Sequence, residues 1–167
     1  MSKAIFINRD DIVSNTALGG NVDPDKFLQF VEIAQDTHIQ NYLGTDLYNK
    51  MSSDITGTGL SGDYLALNTD YVKPMLIHFA MSEYLPWAAF TVGNGGVFRH
   101  QAENGQTASK SEIDYLANSE RQTAQHYAER FISYMTYNAP TKFPEYYTNS
   151  NGDRYPIKQN KYSSWVL

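Results

Sequence analysis

Three glycines in a polar stretch form the most recognisable chemical motif of this 167-residue chain. Gly57, Gly59 and Gly62 have the spacing of a dinucleotide-binding loop, whose backbone meets a pyrophosphate at the start of a helix. That chemistry needs a buried strand directly before the first glycine, and the residues before Gly57 are polar instead. The polar context therefore predicts a flexible turn in place of a dinucleotide-binding loop, and we expect no cofactor.

Two histidines each lie three residues before a glutamate, a spacing that on a helix places imidazole and carboxylate side by side as metal ligands. The pairs are His100 with Glu103 and His126 with Glu129. A di-iron helical bundle has the reverse order, glutamate before histidine, and needs it twice on inward faces. We therefore interpret both pairs as surface or interface residues and expect no metal.

No other local pattern indicates catalysis. The sequence has no recognisable Ser-His-Asp arrangement and no carboxylate pair in a setting typical of a raised pKa. His38 and His78 interrupt apolar helix faces, which favours partly buried, hydrogen-bonded histidines. We expect a protein that is not an enzyme. A small hydrolase remains the third alternative, because a site assembled from distant residues leaves no local signature.

The composition of the chain excludes or disfavours several classes of protein. The net charge of −5 disfavours a general electrostatic attraction to nucleic acid, and the absence of cysteine excludes disulfides and thiolate metal sites. No apolar run approaches the roughly 18 residues that a membrane-spanning helix needs. We expect a cytoplasmic protein, or one released from the cytoplasm by other means, with no membrane contact. The 13 tyrosines favour surfaces that meet other proteins.

Three long amphipathic segments predict an all-α fold, a small helical bundle whose body spans residues 23–139. We expect the main helices over residues 24–43, from about 69 to 86, and from 109 to about 138, with one or two short helices and a loop over 52–62 between the first two. Their ends carry the usual signals, which are the Asp23-Pro24 start, the Gly44 stop, the Ser109/Glu112 capping box and Pro140 after the last helix.

Two terminal segments flank this body. Residues 1–22 hold a short strand-like run over 3–8, which must lie on the helical body or pair outside the subunit, because one strand cannot form a sheet alone. Residues 140–167 are rich in prolines and aromatics without a helical period, which predicts an extended arm that docks on another protein. The aromatics assigned to that partner interface are Phe143, Tyr146, Tyr147, Tyr155, Tyr162 and Trp165.

Residues 93–108 form a glycine-bearing polar stretch without periodicity. Connections of this length are usually functional or disordered. We expect a projecting loop that orders only on assembly, against a neighbouring chain. Its interface residues would be Val97, Phe98, Arg99 and His100. The alternative is a loop folded back on its own bundle.

Several of these segments carry a family resemblance. The first long helix reads Phe27-Leu-x-Phe30-Val-x-x-Ala34 and ends Tyr42-Leu-Gly44, before Thr45-Asp-Leu-Tyr48. The chain resembles the head-tail connector (adaptor) proteins of tailed phages. Tyr71-Val-Lys-Pro74, Tyr84-Leu-Pro86-Trp87 and Asn94-Gly-Gly-Val97 are similar to the version found in phages of Bacteroidetes hosts, including the crAss-like group. The resemblance covers residues 5–138.

The resemblance implies a structural virion protein at the head-tail junction. Such proteins form a homo-oligomeric ring, most often a dodecamer, beneath the portal protein, with the arm reaching the portal and the other side facing a tail-side ring or tail proteins. DNA would pass through the lumen without sequence readout. The lumen would be acidic, with Glu112, Asp114 and Glu120 as candidates. The alternative is a monomeric helical binding or regulatory protein of a phage.

Overall fold

The computed structural model describes residues 4–16, 24–88, 90–94, 96–99 and 108–159, and within these ranges the chain is predominantly helical. The all-α prediction is confirmed, with the addition of one two-stranded hairpin. In chain order the elements are α1 (Arg9–Asn15), α2 (Pro24–Ala34), α3 (Gln40–Leu43), α4 (Thr45–Thr56), α5 (Gly62–Leu67), α6 (Lys73–Tyr84), β1 (Phe90–Gly93), β2 (Gly96–Arg99) and α7 (Lys110–Lys142).

The first two long helices each contain a wider turn near their middle. A π turn at Gln35–Ile39 joins α2 to α3, and a second at Asn68–Val72 joins α5 to α6. The chain is thus continuously helical over 24–43, as predicted, and over 62–84, after which a 3₁₀ turn follows at Leu85–Trp87. π turns are rare and often mark functional positions.

Helix α6 is central, and nearly all its sides are covered. Its buried side chains include Met75, Leu76, Phe79, Ala80 and Met81, a distribution typical of a helix enclosed by others. Helices α2 and α7 both pack on it. The α7 face turned to the core presents alanines in its first half and larger residues later, namely Ala117, Ala124, Ala128, Phe131, Met135 and Ala139.

Two predicted boundaries are wrong. Helix α4 extends to Thr56, so only the second half of the predicted loop over 52–62 is non-helical. Helix α7 includes Pro140 and ends at Lys142, three residues past the predicted limit of the body. The proline is tolerated because it removes a single donor, and the Phe143 amide still donates to the Ala139 carbonyl at 3.0 Å.

The N-terminal segment is not a strand in the part that the structure describes. Residues 4–8 run without regular structure across the body, with Ala4, Phe6 and Ile7 buried, and α1 follows. The segment thus takes the first of its two predicted placements, on the helical body. Sequence reasoning missed α1, although Asn8 and Asp11 form a reciprocal capping box at its start.

Candidate functional site

The first aromatics of the predicted arm belong to this chain's own core. Phe143 is fully buried with its ring 5.2 Å from that of Tyr64 in an edge-to-face contact, and Tyr146 is buried 6.4 Å from Phe131. Burial raises the pKa of Tyr146 to about 12. The prediction that these two side chains meet a partner is wrong, because α5 and α7 provide the intrachain pocket that the sequence did not reveal.

The next residues of the arm are hydrogen-bonded to the start of α4. One carboxylate oxygen of Asp46 accepts from the Thr148 hydroxyl at 2.6 Å and from both the amide and the hydroxyl of Ser150 at 2.9 and 2.8 Å. These bonds, led by the one from Thr148, hold the pKa of Asp46 below its usual value. The arm therefore folds back on its own helices instead of extending from them.

A glycine fixes the closest approach of the arm. Gly44 links α3 to α4 with φ 75° and ψ 158°, and a Cβ atom there would lie 2.7 Å from Cδ of Pro156. The predicted stop at Gly44 is confirmed. Among common residues only glycine readily adopts this backbone conformation, and Pro156 occupies the space that a side chain would need.

The outer face of the arm remains exposed. Tyr147 and Tyr155 are accessible to solvent, and the Lys158 ammonium lies 4.6 Å from the centroid of the Tyr147 ring. These two tyrosines keep the partner role as a prediction. Tyr162 and Trp165 lie outside the described residues.

Part of the predicted loop over 93–108 is a β-hairpin. Strands β1 and β2 pair antiparallel with Val92 opposite Val97 and Gly93 opposite Gly96. The two residues between them are Asn94 and Gly95, a dipeptide that strongly favours tight hairpin turns, so this signal was present in the sequence. Of the predicted interface residues, Val97, Phe98 and Arg99 lie on β2, and His100 lies outside the described residues.

Large apolar side chains are exposed around this hairpin. Helices α6 and α7 run antiparallel, with Tyr71 stacked on Tyr134 and His78 on Tyr127, and that register continues to the Leu85–Trp87 turn beside the first turns of α7. Five exposed residues lie on the Leu85–Trp87 turn, on the hairpin and on the first turns of α7, three segments here together called the hairpin end. They are Trp87 (55%), Phe90 (44%), Val97 (63%), Tyr115 (73%) and Leu116 (49%).

Two open grooves flank α6, and each contains a half-buried histidine paired with a glutamate. His78 Nδ1 lies 2.6 Å from Glu120 in a groove of about 410 Å³. His38 Nε2 lies 3.1 Å from Glu83 beside the other groove, of about 310 Å³. The prediction of partly buried, hydrogen-bonded histidines is confirmed at both positions.

The surroundings of these histidines resemble structural packing more than a catalytic site. The His38 ring stacks on Phe79 with centroids 4.1 Å apart, and His78 stacks on Tyr127 at 5.5 Å. Each pair joins α6 to a neighbouring helical segment, the first to the π turn at Gln35–Ile39 and the second to α7. A carboxylate on one ring nitrogen and an aromatic on the ring face hold the histidine in place.

The three predicted lumen carboxylates differ in their surroundings. Glu112 caps α7 through the Ser109 amide and hydroxyl at 2.7 and 2.8 Å, which lowers its pKa and matches the predicted capping box. Asp114 is exposed on the next turn. Glu120 is half-buried and bonded to His78, and its place on the lumen face stays a prediction.

The remaining motifs are placed as follows. Gly57 and Gly59 lie in the turn between α4 and α5, and Gly62 is the first residue of α5. A helix, and not a strand, precedes them, so the dinucleotide-loop geometry is not formed. His126 and Glu129 are both exposed on α7. His100 and Glu103 lie outside the described residues. Among the described residues, no cluster of three or more potential ligands could hold a metal ion, and no helix there is long and apolar enough to cross a membrane.

Comparison with known proteins gives one match. No curated protein is significantly similar to the chain, and no solved structure matches it. Residues 39–156, from the end of the first π turn to the proline that contacts Gly44, match a family of unknown function, DUF6712. Because that match spans more than two thirds of the sequence, the chain belongs to the DUF6712 family.

Proposed function

We propose that the chain is a structural subunit of a tailed-phage head-tail connector, which forms a ring beneath the portal protein and lets DNA pass through its lumen. The proposal rests first on the resemblance of residues 5–138 to connector proteins of phages of Bacteroidetes hosts. The expected place of such a protein is the head-tail junction of the virion. The ring would most often be dodecameric, with the portal on one side and tail proteins on the other.

The observation that carries the proposal is the apolar surface of the hairpin end. Five large side chains, among them Trp87 and Val97, are 44–73% exposed there. We infer that these side chains form one surface. Exposed apolar surfaces of this kind mark protein interfaces, because water contact costs about 25 cal/mol per Å² that a partner could cover. A hairpin also offers backbone edges to which a neighbouring chain can pair.

A closed ring needs two different surfaces on each subunit, since heterologous contacts join unlike faces. The hairpin end provides one. The second is the outer face of the arm with Tyr147 and Tyr155, on a segment anchored at the start of α4. We assign the hairpin end to the adjacent subunit or tail-side ring, and the tyrosines to the portal.

The charge of the subunit suits passage of DNA. The chain carries a net charge of −5, and Asp114 is exposed near the start of α7. Carboxylates facing the lumen would repel phosphates and so prevent DNA from adhering. Glu112 remains a candidate beside Asp114, although its carboxylate also caps the helix.

Two other functions use different features. A monomeric binding or regulatory protein would use the same hairpin end against a single partner and would not form a ring. A small hydrolase would use the groove beside His78, where Lys73, Asp11 and Tyr127 also lie. The monomeric binding protein differs from the connector in the stoichiometry of its complex. The hydrolase differs in the residues on which its function depends.

The test is assembly with the portal protein encoded by the same phage. Val97→Asp places a charge in the proposed interface between adjacent subunits and should weaken assembly of the ring on the portal at least tenfold, measured by mass photometry of the mixed proteins. Val13→Asp is the matched control, because Val13 is a similarly exposed valine on α1, away from the hairpin end.

Unchanged assembly of the Val97→Asp variant would contradict the proposed interface. A complex with one chain per partner would favour the monomeric binding protein over the connector. A hydrolytic activity of the unmodified chain that is lost in the His78→Gln variant would favour the hydrolase.

A further inference from the structure

Two buried amide side chains bind the backbone of the N-terminal segment. Gln35, the first residue of one π turn, accepts from the Phe6 amide at 3.0 Å and donates to the Ala4 carbonyl at 2.7 Å. Asn68, the first residue of the other π turn, donates to the Phe6 carbonyl at 3.0 Å. Three backbone groups of the segment are therefore satisfied by side chains instead of by a sheet.

The geometry of the Gln35 contacts imitates a neighbouring strand. The carbonyl of residue 4 and the amide of residue 6 are the groups that one residue of a parallel strand would engage across a sheet. Between these contacts, the Phe6 ring is buried and stacks on Tyr48 with centroids 5.2 Å apart. Tyr48 also accepts from Gln35 at 2.9 Å, which fixes the amide. We call Gln35, Tyr48 and Asn68 the amide cleft.

The amide cleft recognises its occupant in the manner of a peptide-binding site. Main-chain hydrogen bonds hold an extended chain, and one pocket selects a side chain. All three residues of the amide cleft lie on helices within residues 24–84, so the site is built without help from the segment that it binds. A chemically equivalent segment from another molecule would make the same contacts.

An empty amide cleft is unfavourable. Gln35 and Asn68 are buried with the segment in place, and its withdrawal would break their bonds to the segment backbone and expose the Phe6 ring to water. Exchange of one segment for an identical one avoids this loss, because contacts broken within a chain are restored between chains. The eight Cα–Cα links from Thr16 to Pro24 span at most roughly 30 Å. Because they lie after α1, an exchanged segment would take α1 and its Asp11–Lys73 ion pair with it, so that residues 4–16 move as a unit.

We propose that the amide cleft is a binding site for an extended peptide of the form Ala-x-Phe-Ile, and that a second copy of this chain supplies it by exchanging residues 4–7 together with α1. The proposed exchange does not depend on whether the assembly is a phage connector. It gives the two π turns a specific role, which is to point the Gln35 and Asn68 amides at a passing backbone.

Two reciprocal full-length variants test the exchange. Phe6→Ala weakens the segment and keeps the amide cleft, whereas Gln35→Met damages the amide cleft and keeps the segment. Each variant alone therefore has either a defective segment or a defective amide cleft. Mixed, the Gln35→Met chain can donate its segment to the Phe6→Ala chain, so we expect a 1:1 heterodimer in sedimentation velocity at concentrations where neither variant self-associates.

The matched control is the double variant Phe6→Ala/Gln35→Met, which can neither donate nor accept. Any association through the hairpin end is equally available to the control, so failure of the exchange is distinguishable from failure of the connector proposal. A mixture of the two single variants that associates no more than the control mixture would overturn the exchange.

A second measurement covers the case in which either variant loses its helical circular dichroism signal. A fluorescent peptide of residues 2–8 is added to the unmodified chain, and its anisotropy is followed until exchange is complete. We expect saturable binding that weakens at least tenfold when the peptide carries Phe6→Ala. Absence of binding, or equal binding of both peptides, would overturn the proposed site.

Discussion

Single residues decide where the terminal segments dock. Gln35 and Asn68 each end a regular stretch of helix and direct a buried amide at the N-terminal segment. Gly44 fixes where the arm docks, since its positive φ turns the chain and its lack of a side chain leaves room for Pro156. At all three positions, a change of one side chain alters a contact between segments that are distant in sequence.

Gly44→Ala should therefore be unusually costly. The backbone conformation is unfavourable for alanine by about 1–3 kcal/mol, and the close approach to Pro156 adds a similar amount. We expect the free energy of unfolding in urea to fall by about 3 kcal/mol or more. Gly152→Ala is the matched control, because Gly152 also has positive φ, 64°, with nothing within 4 Å of an added Cβ. Equal losses for both variants would contradict a steric role for Pro156.

At the scale of elements, the arm is joined to the body by charge as well as by packing. Asp46, on the first turn of α4, holds Thr148 and Ser150 through one oxygen. The arm backbone then bonds to α3 and α4, with the Thr45 amide donating to the Arg154 carbonyl at 3.0 Å and the Ile157 amide to the Asn41 carbonyl at 2.8 Å. An ionised Asp46 is the acceptor at the start of this attachment.

The attachment should weaken in acid. Because the pKa of Asp46 is lowered from 3.8 in the folded state, its contribution to stability is complete above that value and is lost as pH falls through the folded pKa. We expect the stability difference between the unmodified chain and Asp46→Asn, from urea unfolding, to be constant above about pH 5 and to shrink below pH 3.8. Asp70→Asn, at an exposed aspartate of the second π turn, is the control. A difference that persists unchanged at pH 2.5 would contradict this role of Asp46.

At the scale of the whole molecule, residues 140–167 combine two roles. Phe143 and Tyr146 complete the core, while Tyr147 and Tyr155 face outward. Removal of the entire segment would take core residues with it, so we expect it to destabilise the helical body. The same segment thus fastens the subunit together and presents the surface that we assign to the portal.

Point variants separate the two roles. Phe143→Ala should lower the free energy of unfolding by about 3–5 kcal/mol, because it removes a fully buried ring. Tyr155→Ala should leave stability within about 0.5 kcal/mol, since its side chain is exposed, and should weaken portal binding. Thermal unfolding and binding to the portal are measured on both proteins. Tyr155→Ala that binds the portal as well as the unmodified chain would remove this tyrosine from the interface.

Local signals in the sequence determined the three long helical stretches and several of their ends. The capping box of Ser109 and Glu112 and the stop at Gly44 act within a few residues, so they are legible without knowledge of the fold. The same holds for His38 and His78, whose position on apolar helix faces predicts a satisfied, partly buried imidazole. The hairpin signal at Asn94-Gly95 was equally local and was overlooked.

The tertiary structure alone decided which distant segments meet. Nothing near Phe143 in sequence shows that Tyr64 and α7 form a pocket for it, and nothing near Glu120 shows that it faces His78. Likewise, Gln35 and Asn68 are ordinary polar residues within helical patterns until the π turns bring both to Phe6. The physical reason is that these contacts depend on how helices pack against one another, whereas helix starts and stops depend on hydrogen bonds within a single turn.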